Sequence, residues 1–539
     1  MRSPPMAPGT EGPTAAVAPR RRILAALGAG WVNRFAAITL NLALTPILFR
    51  TLSASEFGVW VMMMTAIGLL ALLDFGLTST LPRRFSFSSG KAEGGLKLVE
   101  NAPQLAEVQD LLVTGNRLYL VRLVMTLAVG MILGAIVPRQ LGLGPDVEAQ
   151  ATIAWALLVG SQAMQLWGAA WTGALRGFGH VALQLGILTA VSTLGLLGQI
   201  VVALAGGGLV GLACIAAPMP LISRQVTIWY MRRLHPEIDS RAGKWDRELA
   251  RSMVQPSVAA WLLTVSYFVM LRADSFLIAA FVGVEEISRY FAAMQVYNTL
   301  AFASGAILLG AGPLLSQRWA QGGRETFARQ SLRLIAATQF TAAAAAGSLA
   351  AIGERLIGLW IGAENYIGDT VIWLLCIRLF FDTAQSAVLN VARTTEFEKF
   401  TLLGIGGAVL YVALAVILAE RYGVAGMVAA NIVAQGVTLH SAGIIVGGRR
   451  IGSGALRRIV LILAEAACVS LVAFATARWT LQFLDAIRAP SASTGSEIAV
   501  VGGAVAMTAA VLSAAIWIRV LTAAERQQVI RFVGRAKSP

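Results

Sequence analysis

Eight ionisable side chains stand inside long apolar runs of this 539-residue chain: Arg34, Asp74, Arg224, Arg272, Asp274, Arg378, Asp382 and Glu465. A charge at the centre of a bilayer costs about 2.5–3.5 kcal/mol on insertion scales, so each needs a partner or a task. A guanidinium stays protonated and holds a phosphate through two parallel hydrogen bonds. Arg34, Arg272 and Arg378 are therefore candidate contacts for a phosphate-bearing ligand. Arg34 stands about 11 residues into its run, ~16 Å deep at 1.5 Å per residue, too far in to reach water easily. Pairing competes with this reading: Arg34 with Asp74, and Arg378 with Asp382, whose i, i+4 spacing puts them on one helical face. Arg272 and Asp274, at i, i+2, do not face each other on an ideal helix. Asp74, Asp274 and Asp382 are candidates for coupling to an ion, by protonation or by binding sodium. Asn33 and Asn41, with Gln162, Gln165, Gln199, Gln295 and Asn298, offer amides to a hydroxyl-rich ligand, or equally to a neighbouring helix.

Other chemistry has no matching pattern. There is no GxxxxGK(S/T) phosphate loop, no GxSxG nucleophile elbow, and no metal-ligand spacing among His180, His235 and His440. Cys214, Cys376 and Cys468 lie singly in separate apolar runs, without a CxxC pair. The expectation is a protein that is not an enzyme and has no resident cofactor or metal. Any work it does would draw on a proton or sodium gradient, the membrane potential or consumption of its product.

The elements that must position these residues are membrane helices. The chain is 57% hydrophobic and 13% charged, a balance suited to lipid. Runs of about 20 apolar residues, enough to span a bilayer, recur at 23–49, 57–81, 117–137, 151–173, 181–204, 209–231, 253–282, 289–312, 331–352, 370–392, 400–419, 424–446, 458–479 and 498–520. The expected fold is thus an all-α polytopic membrane protein of about fourteen spans. The net charge of +15 would suggest nucleic acid in a soluble chain, but most of the 43 lysines and arginines fall in alternate joints. That asymmetry puts both termini in the cytoplasm and argues against a nucleic-acid partner. The basic joints 83–116 and 232–252 carry amphipathic patterns suited to the inner leaflet. The Pro- and Ala-rich tail before Arg20, Arg21 and Arg22 reads as disordered cytoplasmic chain ahead of an uncleaved first span. Pro46, Pro218, Pro220 and Pro256 interrupt spans and permit kinks.

A repeat relates the halves. Glu56-Phe57-Gly58-Val59-Trp60 opens span 2 as Glu286-Ile287-Ser288-Arg289-Tyr290 opens span 8, and Gly211 follows Arg176 much as Gly426 follows Arg393. Six spans return the chain to its starting side, so the repeats are parallel, related by an axis along the membrane normal. The expected organisation is a tail (1–22), a first lobe of spans 1–6 (23–231), a linker (232–252), a second lobe of spans 7–12 (253–446), an added helix pair (447–520) and a cytoplasmic tail (521–539). A two-lobed core of this kind encloses a cavity that rocking opens to either side.

Leu52-Ser53-Ala54-Ser55-Glu56-Phe57-Gly58-Val59-Trp60, Leu73-Asp74-Phe75-Gly76-Leu77 before Pro82-Arg83-Arg84, Leu175-Arg176-Gly177-Phe178-Gly179, Asp274 followed by Gly283 and Tyr290-Phe291-Ala292-Ala293, and Leu359-Trp360-Ile361-Gly362 together resemble bacterial polysaccharide flippases of the O-antigen (Wzx) type. These belong to the multidrug/oligosaccharidyl-lipid/polysaccharide (MOP) exporter superfamily, and the likeness spans roughly residues 20–450. Arg393, followed by Thr394-Thr395 and not glycine, and the long tail depart from the pattern. The resemblance implies a multi-pass protein of the bacterial inner membrane. It would flip undecaprenyl-pyrophosphate-linked saccharide by alternating access through a cationic cavity, for O-antigen or exopolysaccharide synthesis. Its partners would be the lipid-linked oligosaccharide, membrane lipids, and a polysaccharide polymerase with chain-length proteins. A lipid II flippase, a multidrug exporter, and a membrane polymerase or glycosyltransferase are the alternatives.

Overall fold

The computed structural model describes residues 17–74, 77–90, 102–239, 242–254, 257–395, 401–487, 494–521 and 526–527. Residues 1–16 of the expected tail 1–22, the Asp74 side chain and Pro256 lie outside the described residues, while residues 17–22, expected as disordered tail, already belong to the first helix. The described chain is helical without a strand. The first ten helices are α1 (Val17–Thr51), α2 (Ala54–Ala71), α3 (Leu77–Gly90), α4 (Ala102–Gln140), α5 (Pro145–Leu166), α6 (Ala169–Gly177), α7 (Val181–Leu204), α8 (Gly208–Ala216), α9 (Pro218–Leu234) and α10 (Arg247–Val254). They are followed by α11 (Ser257–Arg272), α12 (Asp274–Phe281), α13 (Val284–Ala320), α14 (Arg324–Ile361), α15 (Asp369–Arg393), α16 (Thr401–Gln435), α17 (Ser441–Ile451), α18 (Ala455–Ile487) and α19 (Thr494–Arg519).

Among the described residues, eleven helices are long and apolar enough to cross a membrane, or twelve if α11 and α12 form one bent span. The difference from the expected count has local causes. The expected spans 400–419 and 424–446 run together as Leu403–Ile451, but α16 leaves helical geometry at Gly423, with φ 57° and ψ −139°. The expected span 151–173 is divided at Gly168, whose φ of 85° interrupts the run between α5 and α6. Pro218 starts α9, where its missing N–H costs nothing; Ala217 before it keeps helical angles, so α8 and α9 run on as the single span Gly208–Leu234, as expected for 209–231. The basic joint 83–116 is no simple loop: α4 already begins at Ala102, because Val108, Leu111 and Leu112 bury themselves in a core.

The chain divides into two compact units, one of Met1–Ile47, Leu70–Arg139 and Pro145–Val258, the other of Leu48–Leu69, Gln140–Gly144 and Ala259–Pro539. In the first, Leu81 and Phe85 of α3, Leu111 and Leu112 of α4, Leu175 of α6 and Met231 of α9 form a core almost closed to solvent. Gly177 is required there, since a Cβ would lie 2.8 Å from the Pro82 carbonyl oxygen and closer still to Phe85. This close approach of α6 to α3 explains the glycine that follows Arg176.

In the second unit, α2 opens on a capping box: the Ser53 amide donates to Glu56 Oε2 at 2.8 Å and the Glu56 amide to Ser53 Oγ at 3.3 Å. The segment 48–69 belongs to this unit, and Phe57 meets Phe291 edge-on at 5.8 Å. Long α14 is its central helix, with a face of small buried residues from Ala342 to Ala351. Against it dock α18 and α19, through Arg355 donating to both oxygens of Asp485 at 2.9 and 2.5 Å and a 2.8 Å hydrogen bond between Ser348 and Thr508. Gly347 lets the backbones touch, for a Cβ there would sit 2.1 Å from the Ser470 carbonyl oxygen. Overpacking of this kind costs about 1–3 kcal/mol, and small-residue contacts are what hold helices together in lipid. Gly347→Leu is accordingly expected to lower the unfolding temperature of purified protein and expose α18 to protease; an unchanged melting curve would show that α18 docks otherwise.

Candidate functional site

Two arrangements of polar residues stand out, one inside each unit. The first is a cavity of about 270 Å³ in the first unit, lined by Arg122 of α4, Arg176 of α6 and Arg224 of α9. Gln162 and Gln165 of α5, Gln184 of α7 and the hydroxyls of Thr78, Thr172, Ser223 and Thr227 complete its polar wall. Among the described residues, no carboxylate lines it. Local structure aims each guanidinium: Arg122 Nε donates to the Leu73 carbonyl at 2.8 Å, Arg176 Nε to Gln184 Oε1 at 3.1 Å, and Arg224 stacks 4.9 Å from the Trp167 ring. The left-handed Gly168 turns α6 away from α5 and leaves Trp167 beside Arg224; a Cβ on Gly168 would press on Arg224 Nε at 3.1 Å. Arg224 Nε is buried and has no hydrogen-bond partner among the described residues. Three positive charges among amides and hydroxyls suit an anion that also carries hydroxyls.

The second arrangement is a buried ionic cluster in the second unit. Arg378 of α15 is fully enclosed, with Nη1 3.5 Å from Asp274 Oδ2 and Nε 3.3 Å from Asp382 Oδ2. Tyr290 of α13 and Tyr411 of α16 donate their hydroxyls to Asp274, and Tyr297 of α13 donates to Asp382. His440, at the end of a π-helical turn over Gly436–His440, lies with Nε2 2.8 Å from Asp382 Oδ1. The Arg378 guanidinium also lies 5.5 Å from the Tyr297 ring centre. Burial without compensation would cost several kcal/mol per ion, and here each carboxylate has the guanidinium and at least one hydroxyl to offset it.

The structure therefore gathers Arg378, Asp274 and Asp382, including the i, i+4 contact that spacing allowed, and buries the Arg378 side chain completely. Arg272 is exposed at the bend between α11 and α12. In the first unit Arg34 is an exposed residue of α1, Asn33 accepts from Thr189 Oγ1 at 3.0 Å, and Asn41 donates to its own helix at Ala37. Glu465 pairs with Arg519 at 2.8 Å. Arg122, Tyr290, Tyr411 and His440 carry no mark in the sequence as site residues. Among the described residues no group of three potential metal ligands occurs.

No protein-family model and no curated protein matches this sequence. Its structure does match solved ones. The lipid II flippase MurJ, in an inward closed conformation, is similar with a TM-score of 0.62 and 10% identity, covering 91% of this chain and 99% of that one. An inward-facing multidrug resistance MATE family transporter of the MOP superfamily gives 0.61 at 16% identity, covering 80% and 99%. An outward-facing one gives 0.53 at 14%, covering 82% and 97%. At such identities the likeness establishes the fold: this is a multi-pass membrane protein folded like transporters of the MOP superfamily.

Proposed function

We propose that this protein is a flippase for a lipid-linked, pyrophosphate-bearing saccharide. It would carry an undecaprenyl-pyrophosphate glycan from the cytoplasmic to the outer leaflet of a bacterial inner membrane by alternating access, in O-antigen or exopolysaccharide synthesis with its polymerase and chain-length partners. The observation that carries the reading is the cavity of Arg122, Arg176 and Arg224 among glutamines and hydroxyls, with no carboxylate among its described lining residues. Guanidinium forks suit the pyrophosphate, and the amides and hydroxyls suit the sugar. A cationic drug would meet three like charges in the same place, which disfavours the multidrug reading. Lipid II is also pyrophosphate-linked, so the cavity accommodates that substrate equally.

Fourteen passes with both termini cytoplasmic remain our reading of the topology. Counting the helix bent at Gly423 as two spans and α5–α6 and α11–α12 as one span each, beside ten further apolar helices, supports that reading.

The test is flipping of a fluorescent polyprenyl-pyrophosphate saccharide in liposomes. Protein-dependent flipping is expected. If the intact protein moves none of several glycans, even under an imposed ion gradient, the flippase reading fails and a polymerase acting on such lipids takes its place.

A further inference from the structure

Two histidines that the sequence keeps 55 residues apart meet in the first unit. His180 opens α7: Gly179, at φ 84°, turns the chain back after α6, its amide bonded to the Arg176 carbonyl and the His180 amide to that of Leu175, both at 3.0 Å. His235 closes α9, its amide donating to the Met231 carbonyl at 2.9 Å. The two Nε2 atoms then stand 3.3 Å apart. The His235 ring is buried, 5.0 Å from the Phe178 ring, and its Nδ1 lies 3.2 Å from Glu237 Oε1. His180 is half-buried, so the pair keeps a face toward solvent.

A carboxylate only accepts, so the contact with Glu237 keeps a proton on His235 Nδ1 and leaves the Nε2 lone pair of the neutral ring aimed at His180. Histidines that bind metals are held in this way, one nitrogen bonded to a carboxylate that fixes the tautomer and the other turned to the ion. Two nitrogens each 2.0–2.1 Å from a tetrahedral zinc lie about 3.3–3.4 Å from one another, the spacing of this pair. We infer that His180 and His235 form a binding site for one divalent transition-metal ion, with zinc the best match. Imidazole suits zinc, whereas magnesium and calcium require oxygen ligands. Among the described residues no group of three potential ligands occurs, so water fills the remaining positions, an open sphere suited to reversible binding. On binding, the ion takes the place of the hydrogen between the two Nε2 atoms, and the His180 ring proton moves to its Nδ1. The ion ties the start of α7 to the end of α9. Arg176 lies four residues before His180 and Gln184 four after it, with the Gln184 amide donating to the His180 carbonyl at 3.1 Å. The same clamp therefore steadies the corner that carries two residues of the cavity wall.

The test uses the full chain, purified without a polyhistidine tag, stripped of metal and placed in nanodiscs. Calorimetric titration with zinc is expected to show one equivalent bound, with cobalt(II) competing and magnesium and calcium failing to compete. Glu237→Gln should weaken zinc binding about 10- to 100-fold, the usual effect of removing the group that orients a metal-bound histidine. His180→Gln, at a half-buried position, should abolish binding and leave the unfolding temperature of the metal-free protein unchanged. Zinc should raise that temperature in the intact chain and not in His180→Gln, because only a folded state that binds the ion is stabilised by it. His180→Cys should restore binding and add a cobalt–thiolate charge-transfer band, a signal that a contact serving packing alone does not give. Absence of saturable zinc binding would reduce the contact to a hydrogen bond between rings and overturn the site. Zinc affinity indifferent to His180→Gln or to Glu237→Gln, or a cysteine variant without thiolate absorption, overturns it as well. None of these readouts depends on transport, so the site stands or falls apart from the flippase reading.

Discussion

Replacing Arg378 by methionine is expected to destabilise the second unit by about 3–5 kcal/mol, the cost of removing one partner from a buried ion pair. The side chain is enclosed, and its loss strands Asp274 with hydroxyl donors only and leaves Asp382 to Tyr297 and His440. Methionine fills a similar length, so the deficit reports charge and not a cavity. The expected observation is a sharp fall in recovered monodisperse protein and in unfolding temperature. The double variant Arg378→Met/Asp274→Asn should recover most of that loss, because it removes an acid with the base and leaves Asp382 with Tyr297 and His440. The cycle separates the pair from each residue's other contacts. Single-variant stability equal to that of the intact protein would show that the guanidinium is not the cluster's counter-ion.

The sequence made Asp274, Arg378 and Asp382 conspicuous because an isolated charge in an apolar run has few explanations, and helical periodicity predicted the Arg378–Asp382 contact found at 3.3 Å. It did not disclose Tyr290, Tyr297, Tyr411 or His440 as their partners, since a tyrosine or histidine in a span serves as readily as an anchor or packing residue. The cavity was half visible. Arg224, Gln162 and Gln165 stood out inside spans, whereas Arg122 read as the edge of a cytoplasmic joint because the helix was expected to start at 117 and in fact starts at Ala102. Arg34 shows the opposite limit. Its depth along α1 could be counted, but the face it occupies could not, because apolar residues surround that helix and give no amphipathic stripe to orient it. Breaks were the hardest to foresee: Gly168 and Gly423 are two of 54 glycines, and only their backbone angles distinguish them.

Removing two of the cavity's three guanidinium groups should have the largest effect on transport. A hydrogen bond to a charged group contributes about 1.5–3 kcal/mol, roughly ten- to 150-fold per residue when the partner is a phosphate. Arg176→Gln/Arg224→Gln is therefore expected to slow flipping of the fluorescent polyprenyl-pyrophosphate saccharide by two orders of magnitude or more. The substitution keeps amide donors on both walls. Among the described residues Gln184 orients Arg176 and Trp167 orients Arg224, contacts slight enough that the unfolding temperature should change little. Lysine at the same two positions retains the charge but not the planar fork, and its flipping rate should fall between those of the glutamine variant and the intact protein. That ordering distinguishes bidentate recognition from simple electrostatic attraction, for which lysine would match arginine. Full flipping by the glutamine variant would remove the cavity from the transport path and leave its cationic wall without a role.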